Sequence, residues 1–194
     1  VTRATIDLRT FVLLFVAGAI GLTLLDSVHV QTGTLAYSRP VAFGSAWWVP
    51  VLMGSAASLG GALFVSGWRH LGGPPALPSR AALWRSTLLF AVMYAASGLL
   101  PVGPAAKLVA LSVGAAIIFR DLDGTRAGAL LTLVGAVGGT TAEAINPHFH
   151  YLAPDLLRVP MWLPALYACA SPVVGHWARA LAEPAPEPAG APAR

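Results

Sequence analysis

Residues 49–68, VPVLMGSAASLGGALFVSGW, run for 20 positions without a charge and are closed by Arg69 and His70. The hydrocarbon core of a bilayer is about 30 Å thick and needs about 20 helical residues to cross it. Working outward, five more apolar runs are bounded by charges or turn residues: Phe11–Leu25, Leu83–Leu100, Ala105–Phe119, Ala127–Ile145 and Met161–Leu181. Pro101-Val-Gly-Pro104 separates the third and fourth runs of the full set, and a continuous helix resists two prolines and a glycine in succession. The run 105–119 reaches only about 22 Å as a helix, so it must extend into its flanks or have its ends covered by neighbours. The sequence therefore predicts an all-α bundle of six transmembrane helices within residues 1–182. Residues 183–194, rich in Pro, Ala and Glu, are expected to form a disordered tail.

Composition agrees. Of 194 residues, 56% are hydrophobic and 10% are charged, and the mean hydropathy is +0.70. Soluble domains carry about 25% charged residues. A soluble globular enzyme or nucleic-acid module of this composition would lack the charge to coat itself. The net charge of +4 is accordingly read as membrane orientation, not as a nucleic-acid footprint. One cysteine, Cys169, excludes an intrachain disulfide and is read as a packing residue.

The 12 cations are placed unevenly. Arg3, Arg9, Arg69, Arg80, Arg85, Arg120, Arg126, Arg179 and Arg194 fall on one side of six spans, against Arg39, Lys107 and Arg158 on the other. The positive-inside rule then puts both termini in the cytoplasm. Trp47, Trp48, Trp68, Trp84, Trp162 and Trp177 all fall near proposed span ends, where an interfacial indole is expected. The first run, preceded by Arg3 and Arg9, is expected to be a retained helix and not a cleaved leader. No internal repeat stands out.

Small residues recur four apart at Ala17 and Gly21, Gly54 and Ser58, Ala57 and Gly61, Ala110 and Gly114, and Gly135 and Gly139. Such faces let helices approach closely in lipid. They also leave room for a cavity, for which Gly54, Ser58 and Gly61 are candidate wall residues. Glu143 is the only acid inside a proposed span. It snorkels to the interface or, with Asn146, meets a polar lipid head group. His148 and His150 are read as turn residues, and His176 as interfacial; no metal site or cofactor is predicted. The loop with Asp121, Asp123 and Arg126 partly resembles the metal motif of membrane phosphatidyltransferases. Gly128, however, stands where that motif needs Arg, and no aspartate follows until Asp155. The loop is read instead as a solvated turn or a docking loop for a partner protein.

Two segments carry a family resemblance: Ser45-Ala-Trp-Trp-Val-Pro50 leading to Arg69-His-Leu-Gly72, and Ala153-Pro-Asp-Leu-Leu157 leading to Trp162-Leu-Pro164, Gly175 and Arg179. Both resemble the insulin-induced gene (Insig) proteins, as do Ala110-Leu-Ser-Val-Gly114 and Arg126 before Gly128, over roughly residues 8–182. The resemblance implies six helices with cytosolic termini and no catalysis. Eukaryotic members reside in the endoplasmic reticulum, bind oxysterols and retain or degrade sterol-pathway proteins. It also implies that Phe90 lines a central ligand cavity, and that Asp121 or Asp123 matches a partner-binding Asp. Gly103 and Ala116 fall near the family's Gln and Trp. The Ala/Gly/Pro/Arg-rich usage, with one lysine, looks like that of a high-GC bacterium. The expectation is thus an integral protein of a bacterial cytoplasmic membrane. It binds an amphiphilic lipid, diacylglycerol-like before sterol-like, and has a membrane-protein partner or forms a homo-oligomer. A small transporter or a lipid-modifying enzyme is the alternative.

Overall fold

The computed structural model describes residues 6–183; the expected tail at 184–194 lies outside them. Six helices run in chain order: α1 (Leu8–Gln31), α2 (Val49–His70), α3 (Arg80–Leu99), α4 (Pro104–Leu122), α5 (Arg126–Ile145) and α6 (Leu163–Ala182). Two short strands, β1 (Leu35–Tyr37) and β2 (Phe149–Tyr151), follow α1 and α5. They pair antiparallel on the Arg-poor side of the bundle.

Local chemistry sets the helix ends. The side chains of Asp7, Ser79 and Thr125 accept from the amides of Thr10, Ala82 and Gly128, each satisfying an otherwise orphan first-turn N–H. Pro50, Pro104 and Pro164 occupy the first turns of α2, α4 and α6, where a missing N–H costs nothing. As its short run required, the fourth helix extends past both expected ends. The first continues to Gln31 and so takes Asp26 inside a span, making two buried acids where the apolar runs had suggested one.

Four helices, α1, α2, α3 and α5, are long and apolar enough by themselves to cross a membrane. The other two depart for physical reasons. Helix α4 carries Lys107, Arg120 and Asp121 at its two ends. Helix α6 contacts all five other helices, and its buried residues include His176 and Arg179. A helix surrounded by protein does not need a lipid-facing composition.

The structure reveals a repeat that hydropathy hid. Tyr37, Pro40, Trp48 and Pro50 recur at identical spacing as Tyr151, Pro154, Trp162 and Pro164. Each set runs from a strand through a bridged turn, Ala42–Ser45 or Leu156–Val159, to a Trp-capped helix. Phe43 and Leu157, at matching positions, both have positive φ (52° and 58°), a backbone choice rare outside glycine. The strand register, Leu35 with Tyr151, Ala36 with His150 and Tyr37 with Phe149, is symmetric about the Ala36–His150 pair. The two copies share few side chains, so only the backbone shows the relationship plainly.

Helix contacts follow small residues, with changes from the expected pairs. A Cβ at Gly18 would lie 2.5 Å from the Ala57 Cβ, and one at Gly54 would lie 2.7 Å from the Phe15 carbonyl. Ser58 Oγ donates to the Phe11 carbonyl at 2.9 Å. These contacts seal α1 to α2. The pair Gly135 and Gly139 packs on Ser171 and the Tyr167 ring of α6. Gly21, by contrast, faces open space, so Gly18 and not Gly21 makes the close approach.

Three expectations for aromatic and ionisable groups are corrected. Trp68 and Trp162 are core residues, at 0% and 3% exposure, because α6 and the polar clusters below enclose them. Trp47 and Trp84 remain on the outside. His176 is fully buried, its ring tilted against Trp68 with centroids 4.7 Å apart. Arg179 is also buried, donating to the Pro75 carbonyl at 2.9 Å and to Glu183 at 3.1 Å. Cys169 is buried in the core, as a packing residue would be.

Candidate functional site

Three places gather the chemistry. The first is a cavity of about 650 Å³ between α1, α3 and α6, with Ala57 of α2 at its edge. Leu14, Gly21, Leu25, Phe90, Val173 and Trp177 line it. It follows α1 from Leu13 to Leu25, about 18 Å of helix. Leu13, Leu24 and Trp84 line it while also being exposed on the outside of the bundle, so it opens sideways into the region a bilayer fills. Its polar groups are already engaged. Thr87 Oγ1 donates to the Leu83 carbonyl (2.8 Å) and accepts from Trp177 Nε1 (2.8 Å). The walls therefore offer dispersion contacts and no charge.

Of the expected wall residues, Phe90 lines this cavity and Gly54, Ser58 and Gly61 do not. Gly54 and Ser58 are consumed by α1. A Cβ at Gly61 would lie 2.8 Å from the Ala178 Cβ and 3.0 Å from Leu14 Cδ1. Small residues read from sequence serve either a helix contact or a void, and the choice depends on which neighbour arrives.

The second place is a polar belt beneath the β1–β2 ribbon. Asp26 accepts from Tyr37 of β1 (2.8 Å) and Tyr94 of α3 (3.4 Å). Glu143 accepts from Tyr151 of β2 and Tyr167 of α6, both at 2.5 Å. His29 Nε2 lies 2.8 Å from Ser97 Oγ, whose hydroxyl donates to the Tyr94 carbonyl at 2.7 Å. The ring nitrogen is thus the donor. Lys107 Nζ donates to the Ser97 carbonyl at 2.6 Å. Buried polar groups in a low-dielectric core must be paired, and here five helices and both strands supply partners.

This arrangement corrects the proposed head-group pair. Glu143 is buried and neither snorkels nor lines the cavity. Asn146 is half-buried and its side chain accepts from the His148 amide at 3.0 Å. His150 turns outward to Ser38 Oγ, 3.0 Å away. Sequence reasoning missed Asp26, Tyr94, Tyr151 and Tyr167. The available signal was a set of tyrosines in apolar surroundings, each of which needs a hydrogen-bond partner.

The third place is the loop between α4 and α5. Asp121 pairs with Arg85 and accepts from Ser86 Oγ at 3.0 Å. Asp123 accepts from Trp68 Nε1 (3.2 Å), the Thr125 amide (2.9 Å) and the Thr125 hydroxyl (2.5 Å), with His176 Nε2 at 3.4 Å. Burial opposes ionisation of Asp123, but hydrogen bonds from His176 and Thr125 outweigh it and hold the carboxyl below its ordinary value. A Cβ at Gly128 would strike this carboxylate, which explains a glycine where the phosphatidyltransferase motif has Arg. Both aspartates are thus engaged within the chain, and of the three expected docking residues only Arg126 is freely exposed. Among the described residues no group of three His, Cys, Asp or Glu side chains is placed to hold a metal.

Six packed helices, a lipid-accessible apolar cavity and a belt of buried, fully paired acids define an integral membrane protein of the polytopic, cavity-bearing kind. The chain belongs to the insulin-induced gene (Insig) family. It is 30% identical over 186 residues to the insulin-induced gene 1 protein of Danio rerio, covering 90% of this chain and 73% of that protein. The Homo sapiens protein of the same name is 29% identical over 191 residues, covering 93% and 68%. No family model matches the chain. The crystal structure of MvINS, a mycobacterial Insig homologue from Mycobacterium vanbaalenii, superimposes with a TM-score of 0.81 at 25% identity, covering 94% of this chain and 98% of that one. A cross-linked trimer of an MvINS variant superimposes with a TM-score of 0.80.

Proposed function

We propose that this protein is a non-catalytic membrane regulator whose cavity holds the tails of an amphiphilic lipid. The observation that carries the reading is the cavity itself: about 650 Å³, apolar, and open sideways between α1 and α3. That volume falls within the usual range for small-molecule sites. Its apolar lining suits acyl chains or a sterol ring system, and its length along α1 favours a chain. Diacylglycerol-like lipids are the leading class, sterol-like molecules the second.

The head group rests near the Arg-rich, cytoplasmic end, where Trp84 and Trp177 meet edge to face at 4.9 Å and Leu181 closes the lining. Amphipathic indoles suit that depth. The regulated partner is another membrane protein. Self-association is supported by the trimeric state of the MvINS variant.

The test is mass spectrometry of lipid retained by protein purified in mild detergent. An enriched lipid species is expected, and none enriched across several detergents would sink the reading. Gly21→Phe sharpens it. A Cβ at Gly21 meets nothing within 4 Å and Gly21 lines the cavity, so a larger side chain starts from open space there. Retained lipid is expected to fall about tenfold with melting unchanged; full retention would refute this placement.

A further inference from the structure

The cavity does not use the most expensive feature of the fold, two carboxyls buried at its Arg-poor end. Asp26 is 2% exposed and Glu143 is 8% exposed. Charge inside a membrane protein is costly unless compensated, and among the described residues neither acid has an ion-pair partner. Lys107 spends its ammonium on the Ser97 carbonyl. His29 gives its Nε2 proton to Ser97 Oγ. What compensates the acids is four phenols, one for each carboxyl oxygen: Tyr37 and Tyr94 on Asp26, Tyr151 and Tyr167 on Glu143.

The sources of those phenols are informative. One phenol on each acid comes from a helix and the other from the ribbon. Tyr37 and Tyr151 are equivalent in the internal repeat, and each reaches back to the helix preceding its own strand. The ribbon, only three residue pairs long, would be marginal alone; two carboxylates fasten it to the bundle. Burial first, and the adjacent carboxylate second, push the Tyr37 and Tyr151 phenols above their ordinary value, so both remain donors throughout the range in which carboxyls titrate.

We propose that Asp26 and Glu143 form a proton-sensitive double latch that holds the β1–β2 ribbon onto the bundle when ionised and releases it when protonated. A carboxyl that gains a proton keeps one accepting oxygen and makes the other a donor, so two charge-assisted hydrogen bonds give way to weaker neutral ones and one phenol must rotate its own proton elsewhere. Tyr94 and Tyr167 sit within α3 and α6, whereas Tyr37 and Tyr151 are carried by a ribbon of only three residue pairs, so the weakening is felt at the ribbon. The other groups around the latch do not take over its role. His29 and Lys107 are engaged at Ser97. His150 faces Ser38 on the outside. The titratable residues of α2, Arg69 and His70, lie at its opposite end.

The test uses the full chain in lipid nanodiscs and follows hydrogen–deuterium exchange of the ribbon and its flanks, corrected for intrinsic exchange rates. Ribbon protection is expected to drop about tenfold between about pH 8 and about pH 5, while α2 and α6 stay protected. Asp26→Asn with Glu143→Gln is expected to abolish the drop. Should that double variant fail to fold, Tyr151→Phe removes one donor from Glu143 and leaves its ring in the core. Its transition is expected about one unit higher in pH, because the anion loses a hydrogen bond. Flat protection in the native sequence, a drop that persists in the double variant, or an unmoved transition in Tyr151→Phe overturns the proposal.

Discussion

Gly54→Leu is expected to part α1 from α2 and to destabilise the bundle by about 3 kcal/mol or more. A Cβ at Gly54 would already lie 2.7 Å from the Phe15 carbonyl and 2.9 Å from its ring. The carbonyl belongs to a helix backbone and cannot swing aside. The same crossing holds Gly18 against Ala57 and the Met53 carbonyl, and Ser58 against the Phe11 carbonyl, so the clash would also loosen neighbouring contacts. Lipid offers helices no hydrophobic drive to reassociate, which leaves nothing to compensate. Melting in mild detergent, followed by size-exclusion profile, checks this. A Gly54→Leu protein that melts like the native sequence would show that α1 does not depend on this seam. Gly21→Phe, one turn along α1 and larger, serves as the tolerated contrast.

Asp123→Ala is expected to cost about 2–4 kcal/mol, since it leaves buried Trp68 Nε1 without its acceptor, removes the carboxylate 3.4 Å from buried His176 and uncaps Thr125 from the loop. It should also change the acid response. The folded state holds the Asp123 carboxyl below its ordinary value, so it binds that proton less readily than the unfolded chain does. The resulting stabilisation is fully present above the ordinary carboxylate value, about pH 4, and is lost as pH falls through the lowered folded value. Native protein should therefore lose melting temperature on acidification below about pH 4 more steeply than Asp123→Ala. Equal slopes would remove the charge from this account and leave only packing. Because Trp68, His176 and Arg179 surround this loop, any partner contact there would depend on a carboxylate that never leaves the interior.

Much of the fold is legible in the order of residues. Apolar runs between charges locate six helices. Pro50, Pro104 and Pro164 mark three helix starts, and the motifs around Trp48 and Trp162 point to the family. The errors share one cause. Trp68 and Trp162 resemble interfacial anchors because they stand near span ends, and only the path of α6 shows that protein, not water, lies beyond them. Asp26 looked like a boundary because a charge normally ends a span. Tyr37 and Tyr94 make it an interior residue, the first by a turn back of the chain and the second from 68 residues away. Gly21 and Gly54 belong to the same kind of small-residue pair, yet one opens a cavity and the other seals a seam.

The sequence by itself determined that this chain lives in a membrane, how many times it crosses and which side carries the arginines. Those properties follow from transfer free energy and charge, which act on each segment separately. Only the tertiary structure decided where the cavity lies, which glycines face it, and that two acids from different helices gather four tyrosines, two of them on a common ribbon. Such choices depend on which side chains arrive together from distant parts of the chain, and no local pattern records that meeting.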